Sequence, residues 1–326
     1  MNINLEGYTD KELISLKEKI QEKLNNKIAD EINITNVVND QGRLICPICS
    51  GTNTIRDGKT KQGVQKVRCN DCKKSPVISK GRIMHSSKKS FNQWAKFIES
   101  TLIQDKIEIS ALKAEISIRT AFRWRIKVLS ILANLMNNVE LEGTAFLDDT
   151  LIKEVEKNRN IPKSSTPKKK GVSNDKISIA CAIDLNGNTV IKIADIGRIT
   201  TKALNNAFKG RIKERSIVVA DSHCSHNSFM KELNLIWERI PSKKKSNGKY
   251  DLSLIDQLHS RIHYFLYNYK GVSLKYLQGY LALFDLLSKN PKFFLEDIKN
   301  GIITTICTIS GHVRCVDIDE GRHIIV

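Results

Sequence analysis

Apolar residues recur along this chain in two different rhythms, and the places where the rhythm changes divide it. Thr9 followed by Glu12 has the form of a capping box. Leu13, Leu16, Ile20, Leu24, Ile28 and Ile32 then recur at three- and four-residue spacing, which predicts an amphipathic helix. Its stripe could pack on a second copy of the chain or on its own chain. From Cys46 to about Arg82 the pattern breaks into short, turn-rich, basic pieces, and Phe91 to Leu135 reads as helical again. Gly143 marks the next change. Beyond it, the apolar runs Ile177–Ile183 and Val190–Ile193 flank Asn186-Gly187-Asn188, a hairpin signal. A helix is expected at Thr201–Gly210, a buried strand at Ser216–Ala220 and a helix at Leu254–Tyr267. The stretch from Phe294 to Val326 is a mixed apolar and charged tail without a readable motif.

Composition adds a partner to this outline. With 326 residues and 40% apolar content, two or three domains are expected. The 53 Lys and Arg against 35 Asp and Glu leave a net charge of +18, an excess that attracts a polyanion. Nucleic acid is the first candidate, and a basic protein that is merely soluble is the alternative. The runs Lys168–Lys170 and Lys243–Lys245 sit in polar loops where they could meet phosphates. No stretch of about 18 apolar residues occurs and the first thirty residues lack a signal-peptide core, so a cytoplasmic protein without a membrane partner is expected. In that compartment eight cysteines are better read as metal ligands than as disulfides.

Their spacing bears this out. Cys46-Pro-Ile-Cys49 and Cys69-Asn-Asp-Cys72 are two Cys-x-x-Cys pairs 19 residues apart, the pattern of a structural Zn²⁺ ribbon. Each pair makes a tight knuckle, and the metal stabilises a segment too polar to build a core. A redox role would need one reactive pair, not two matched ones. Lys66 and Arg68 are among the basic residues of the ribbon and are candidate DNA contacts.

After a break at Ile116-Ser117, the run Ile118-Arg-Thr-Ala-Phe-Arg-Trp-Arg125 reads as the second helix of a helix-turn-helix. Ser117 is a suitable N-cap. Phe122 and Ile126 are expected to face the first helix, with Arg119, Arg123 and Arg125 pointing outward as DNA-binding residues. Trp94 and Trp124 suit a core better than a base stack.

Ala145-Phe-Leu-Asp148-Asp149-Thr150 places acids at the end of an apolar run, and Ile217-Val-Val-Ala-Asp221 does so again. A carboxylate ending a buried strand is costly unless a cation compensates it. Asp256 adds a third acid on a helical pattern. Asp148, Asp221 and Asp256 together could hold a pair of Mg²⁺ ions across a phosphodiester, so that phosphoryl transfer becomes positioning plus charge neutralisation.

At this point the chain resembles bacterial insertion-sequence transposases that join a zinc ribbon and a helix-turn-helix to a DDE domain of the ribonuclease H-like fold. The likeness covers about residues 44 to 287. It rests on Val67-Arg-Cys-Asn-Asp-Cys72, Thr120-Ala-Phe-Arg-Trp-Arg125, Leu147-Asp-Asp-Thr150, Ala182-Ile-Asp-Leu-Asn-Gly187, His259-Ser-Arg and Gly271-Val-Ser-Leu-Lys-Tyr-Leu277. Together with the N-terminal pattern, the resemblance points to a multidomain α+β chain: the amphipathic helix read above (1–40), then, as the resemblance implies, a zinc ribbon (41–84), a helix-turn-helix region (85–140) and an α/β ribonuclease H-like domain with a mixed central sheet flanked by helices (141–290), followed by a tail beyond the resemblance (291–326). It also implies cleavage and joining of double-stranded DNA at terminal inverted repeats and target sites, with Mg²⁺ or Mn²⁺. The working protein would be a homodimer or higher oligomer in the bacterial cytoplasm, associated with the nucleoid.

By position, Asp148 and Asp221 match the family's first two acids, and Asp149 takes the place of a Glu usual after the first. At the third place relatives carry Glu or Asn, with Lys seven residues on. Here those positions hold Asp256 and His263, one face of a helix apart by two turns. A protonated His263 could still contact phosphate. His259 competes with Asp256 as third ligand, though a carboxylate suits Mg²⁺ better than an imidazole does. Two other functions remain open: a DNA-binding protein descended from a transposase without catalysis, and a structure-specific nuclease that cleaves without joining.

Overall fold

The computed structural model describes residues 9, 11–16, 19–20, 23, 44–61, 65–85, 87–135, 139–153, 176–241, 244, 246–290 and 296–308. Leu24, Ile28 and Ile32 of the N-terminal stripe, the Lys168–Lys170 run, and Lys243 and Lys245 lie outside them. Two compact units result: the residues up to Val128 with 296–308, and those from Leu129 to Asn290. None of the helices among the described residues is long and apolar enough to cross a membrane.

At the N-terminus the capping box forms as its residues dictate. The Thr9 N–H donates to Glu12 Oε2 at 2.9 Å and the Glu12 N–H to Thr9 Oγ1 at 3.4 Å, opening a helical segment at 11–16. Further on, β1 (Thr54–Lys59) and β2 (Gln65–Cys69) pair antiparallel between the two Cys-x-x-Cys turns.

The predicted helical stretch is three helices. A second capping box, Ser90 with Gln93, starts α1 (Phe91–Leu102), and α2 (Ile107–Lys113) and α3 (Ile118–Leu135) follow. Ser117 caps α3 as expected, accepting from the Thr120 N–H at 3.2 Å. Trp94 and Trp124 stack with centroids 3.5 Å apart, and Phe97 meets Trp124 edge-on. Residues Glu296–Thr308 form a helix that buries Ile306 and Cys307; it is numbered α8 below. Lys299 on it bonds Glu99 of α1 at 2.8 Å.

In the second unit, five strands form one mixed sheet: β3 (Thr144–Lys153), β4 (Lys176–Asp184), β5 (Thr189–Ile196), β6 (Ile217–Asp221) and β7 (Ile236–Ile240), in the order β5-β4-β3-β6-β7. The β3–β4 and β4–β5 pairs are antiparallel, while β3–β6 and β6–β7 are parallel. This is a mixed central sheet with helices, consistent with the ribonuclease H-like architecture implied above. The β4–β5 turn is held by Asp184, whose buried Oδ1 accepts from the N–H groups of Asn186 and Asn188 at 2.9 Å each. Gly187 takes the positive φ of 83° that the turn requires.

Period-two alternation sorts the sheet into two faces. Ala145, Leu147, Ala180, Ala182, Val218 and Ala220 point into a core with α4 (Thr201–Phe208) and α5 (Cys224–Glu232), through Leu204, Phe208 and Phe229. Phe146, Asp148 and Thr150 therefore face the other way, toward α6 (Ser253–Tyr267). Next to it, α7 (Leu274–Lys289) seals the β5 edge: the Gln278 amide accepts from the Ile193 N–H and donates to the Ile191 carbonyl, both at 3.0 Å.

Candidate active site

The sheet brings two acids side by side. The parallel register of β3 on β6 ends at Leu147 opposite Ala220, so Asp148 and Asp221 come next on neighbouring strands and on the same face. Asp148 is not a strand end, as the apolar run suggested, because β3 continues to Lys153 by pairing with β4. It is instead the first residue beyond the parallel pairing. The carboxyl ends of parallel strands are where open α/β sheets place their ligands.

From the covering helix come two further donors. Asp256 and His259 are one turn apart on α6, and their ligand atoms lie with that of Asp148 within 4.8 Å of one another. His259 Nε2 is buried without a hydrogen-bond partner among the described residues. Burial pushes the Asp148 carboxyl up to about 7, the neighbouring Asp149 and Asp221 charges pushing the same way against a hydrogen bond from the Asp149 N–H. Burial likewise pushes His259 down to about 4, despite the nearby Asp256. At neutral pH its imidazole is therefore neutral, with a lone pair free.

A buried imidazole with a ring nitrogen within 4.8 Å of two carboxylates, one destabilised by burial, is a donor set that fits a divalent cation. When bound, such an ion would act as a Lewis acid on a carbonyl or phosphoryl oxygen and lower the pKa of a coordinated water. The protein's share is to hold the oxygens of Asp148 and Asp256 on a strand and a helix, with no loop to move them.

Asp221 makes a different set of contacts. Its Oδ1 lies 3.1 Å from His226 Nδ1 and accepts from the His223 N–H at 3.0 Å. The His226 bond holds the carboxyl below its usual range even though burial opposes this. His226 is buried on α5. His223 caps that helix through Ser225 and accepts from Arg198 Nε at 3.1 Å. The signal for this pairing was the His-Cys-Ser-His run just past Asp221, whose helical start was not anticipated.

Asp149 turns to the opposite side of β3 from Asp148. Burial raises its carboxyl, while His223 and His226 pull it down. His263 is occupied: its Nε2 lies 2.8 Å from Thr150 Oγ1, so it ties α6 to β3.

In the first unit the four cysteine sulfurs of Cys46, Cys49, Cys69 and Cys72 also lie within 4.8 Å of one another. Each Cys-x-x-Cys turn is closed by a residue of positive φ, Ser50 at 60° and Lys73 at 58°. A side chain at Gly51 would run into Asp71 of the opposite turn. Burial pushes the Cys46 thiol up, but the N–H groups of Cys49 and Ile48 outweigh it and bring the value down to about 7. Four convergent thiols with one already poised to ionise fit a tetrahedral soft-metal site.

The basic residues divide. Arg119 is exposed and Arg123 half-buried on α3, Lys66 is half-buried, and Arg68 is exposed with Asp57 at 3.4 Å. Arg125 does not point outward. It is buried, and its guanidinium donates to the Asp105 carbonyl at 2.9 Å and to Ser110 Oγ at 2.7 Å. It lies one turn beyond buried Ala121, so the helix phase carries it inward. Phe122 is correspondingly exposed, whereas Ile126 is buried as expected.

No family model matches this chain, and no curated protein does. Among solved structures it is similar to a simian T-cell lymphotropic virus intasome in complex with the PP2A regulatory subunit B56 gamma, at 14% identity over 68% of this chain and 71% of that one, with a TM-score of 0.27. A Mos1 transposase paired-end complex with the left transposon end matches at 10% identity over 61% and 76%, TM-score 0.21. A Mos1 mariner paired-end complex with Mn matches at 11% over 69% and 81%, TM-score 0.21.

Proposed function

We propose that this protein is a DNA transposase, which binds terminal inverted repeats and cleaves and joins DNA strands with Mg²⁺ or Mn²⁺. The observation that carries the reading is the meeting of Asp148 on β3 with Asp256 and His259 on α6 around a space lined by ligand atoms. A hydrolase working through a covalent intermediate would instead want an activated nucleophile beside a base. Asp221 joins the set by turning from His226 toward Asp148, its neighbour across β3 and β6. His259 is then a ligand beside Asp256, not its competitor.

In this reading the four-cysteine segment at 41–84 is a zinc ribbon and the region 85–140 a helix-turn-helix that presents Arg119, Arg123 and the ribbon residues Lys66 and Arg68 to DNA. The domain at 141–290 carries the chemistry, and two or more copies act on paired ends. The net charge of +18 supports the polyanionic partner. The test is an assay on DNA carrying the gene's own flanking ends, with Mg²⁺ or Mn²⁺, comparing the parent with Asp148→Asn, Asp221→Asn and Asp256→Asn. Strand joining by the parent and its loss in all three variants is expected. Cleavage without joining would favour a nuclease, and binding without either would favour a non-catalytic DNA-binding protein.

A further inference from the structure

An α-helix repeats its facing about every 3.6 residues, so positions four, seven and eleven beyond a residue return to its side. On α6 these places after Asp256 are Ser260, His263 and Tyr267, and Tyr264 lies beside them. Tyr264 is 74% exposed and Tyr267 80% exposed. Asp256 is the single acid in α6, and the outward positions between it and Tyr267 otherwise hold neutral or basic groups, including Arg261. Beside Asp256 this face opens into a depression of about 500 Å³ lined by Ser253, Asp256, Gln257, Ser260 and Arg261. One line on a rigid helix thus runs from Asp256 to two uncovered aromatic rings about 12 Å (Tyr264) and about 16 Å (Tyr267) along the axis, at 1.5 Å per residue.

We infer that this face of α6 is a stacking track for unpaired nucleotides that adjoin the phosphate held at Asp148 and Asp256. The inference rests on the reading of the protein as a DNA strand transferase. A phosphate contact would need only a tyrosine hydroxyl at the surface, whereas here the rings themselves are open to water. Free aromatic faces beside a cationic side chain bind unpaired bases irrespective of sequence. The partner that fits is a DNA strand end opened from its complement. An intact duplex would keep its bases stacked on one another, out of reach of either ring.

The test measures binding of the full-length protein, without divalent cation so that nothing is cut, to a duplex with a single-stranded tail and to the same duplex with blunt ends. Three proteins are compared: the parent, the pair Tyr264→Ala with Tyr267→Ala, and the pair Tyr264→Phe with Tyr267→Phe. The alanine pair should bind the tailed DNA weaker by roughly tenfold per ring lost. It should bind the blunt duplex like the parent, with the same salt dependence, because no charge is removed. The phenylalanine pair should match the parent on both. Parental affinity of the alanine pair for tailed DNA would overturn the inference and leave the transposase reading intact. An equal loss in the phenylalanine pair would also overturn it, assigning the tyrosines to phosphate through their hydroxyls. A parent that binds neither DNA would refute both. Thermal melts of the variants check that these exposed substitutions leave the fold alone.

Discussion

Thr150 Oγ1 and His263 Nε2 lie 2.8 Å apart, a bond between the strand that carries Asp148 and the helix that carries Asp256 and His259. Thr150 is two residues past Asp148 on the same face of β3, and His263 is one turn past His259. The bond therefore fixes the register of the helix over the strand. Thr150→Val keeps the shape and removes the bond, with an expected cost of about 1 kcal/mol in chemical denaturation. The divalent-ion concentration needed for half-maximal cleavage should rise while DNA affinity stays parental. An unchanged ion requirement would remove His263 from any positioning role.

Arg119 and Arg125 share α3 but should fail differently. Arg125 is buried against the Asp105 carbonyl and Ser110, so Arg125→Ala leaves those acceptors unpaired and should destabilise the fold by about 2 kcal/mol. Arg119→Ala should leave the melting temperature alone and weaken DNA binding, with a shallower salt slope. A melting-temperature loss in Arg119→Ala, or none in Arg125→Ala, would reverse these assignments.

Asp105 supplies a pH signature within the first unit. Burial pushes its carboxyl up, but bonds from Lys113 Nζ and Ser100 Oγ, each at 2.6 Å, outweigh this and hold it below the ordinary 3.8. A carboxyl depressed in the folded state stabilises it above the unfolded value and loses that contribution as pH falls through the folded one. Asp105→Asn should therefore be less stable than the parent at pH 7, by about 1–2 kcal/mol for charge-assisted bonds. The two stabilities should converge below pH 3.8, which denaturant titrations across that range would follow.

Much of this architecture is legible because short-range rules set it. The Thr9–Glu12 box, the Ser117 cap, the Asn186-Gly187-Asn188 turn and the two Cys-x-x-Cys knuckles depend on neighbours a few residues apart, and all take the local form expected of them. Asp148 beside Asp221 was legible too, since each ends an apolar run of one strand. What could not be read depends on distant partners. Arg125 reaches a carbonyl twenty residues back. His226 is drawn inside by Asp221, and His259 meets Asp148 only because α6 crosses β3. A histidine is equally at home as a surface residue, a cap or a ligand, so composition alone does not choose.

The four cysteines should hold one zinc per chain, released on mercurial titration and detected with a metallochromic dye. Cys69→Ser should lose the metal and, with it, the protease resistance of the segment around β1 and β2, because so polar a stretch has little other source of folding free energy. A metal-free parent with that resistance intact would exclude a structural zinc.

The substitution Asp256→Cys gives the most direct measurement of the central claim, that the carboxylates facing each other across β3 and α6 hold the catalytic cation. A thiolate binds Mg²⁺ poorly but accepts softer ions such as Mn²⁺. Cleavage of the flanking-end DNA by Asp256→Cys should be abolished in Mg²⁺ and partly restored in Mn²⁺, while the parent works in both. Parental rates for the variant in Mg²⁺ would show that Asp256 does not touch the cation, and would contradict the site described here.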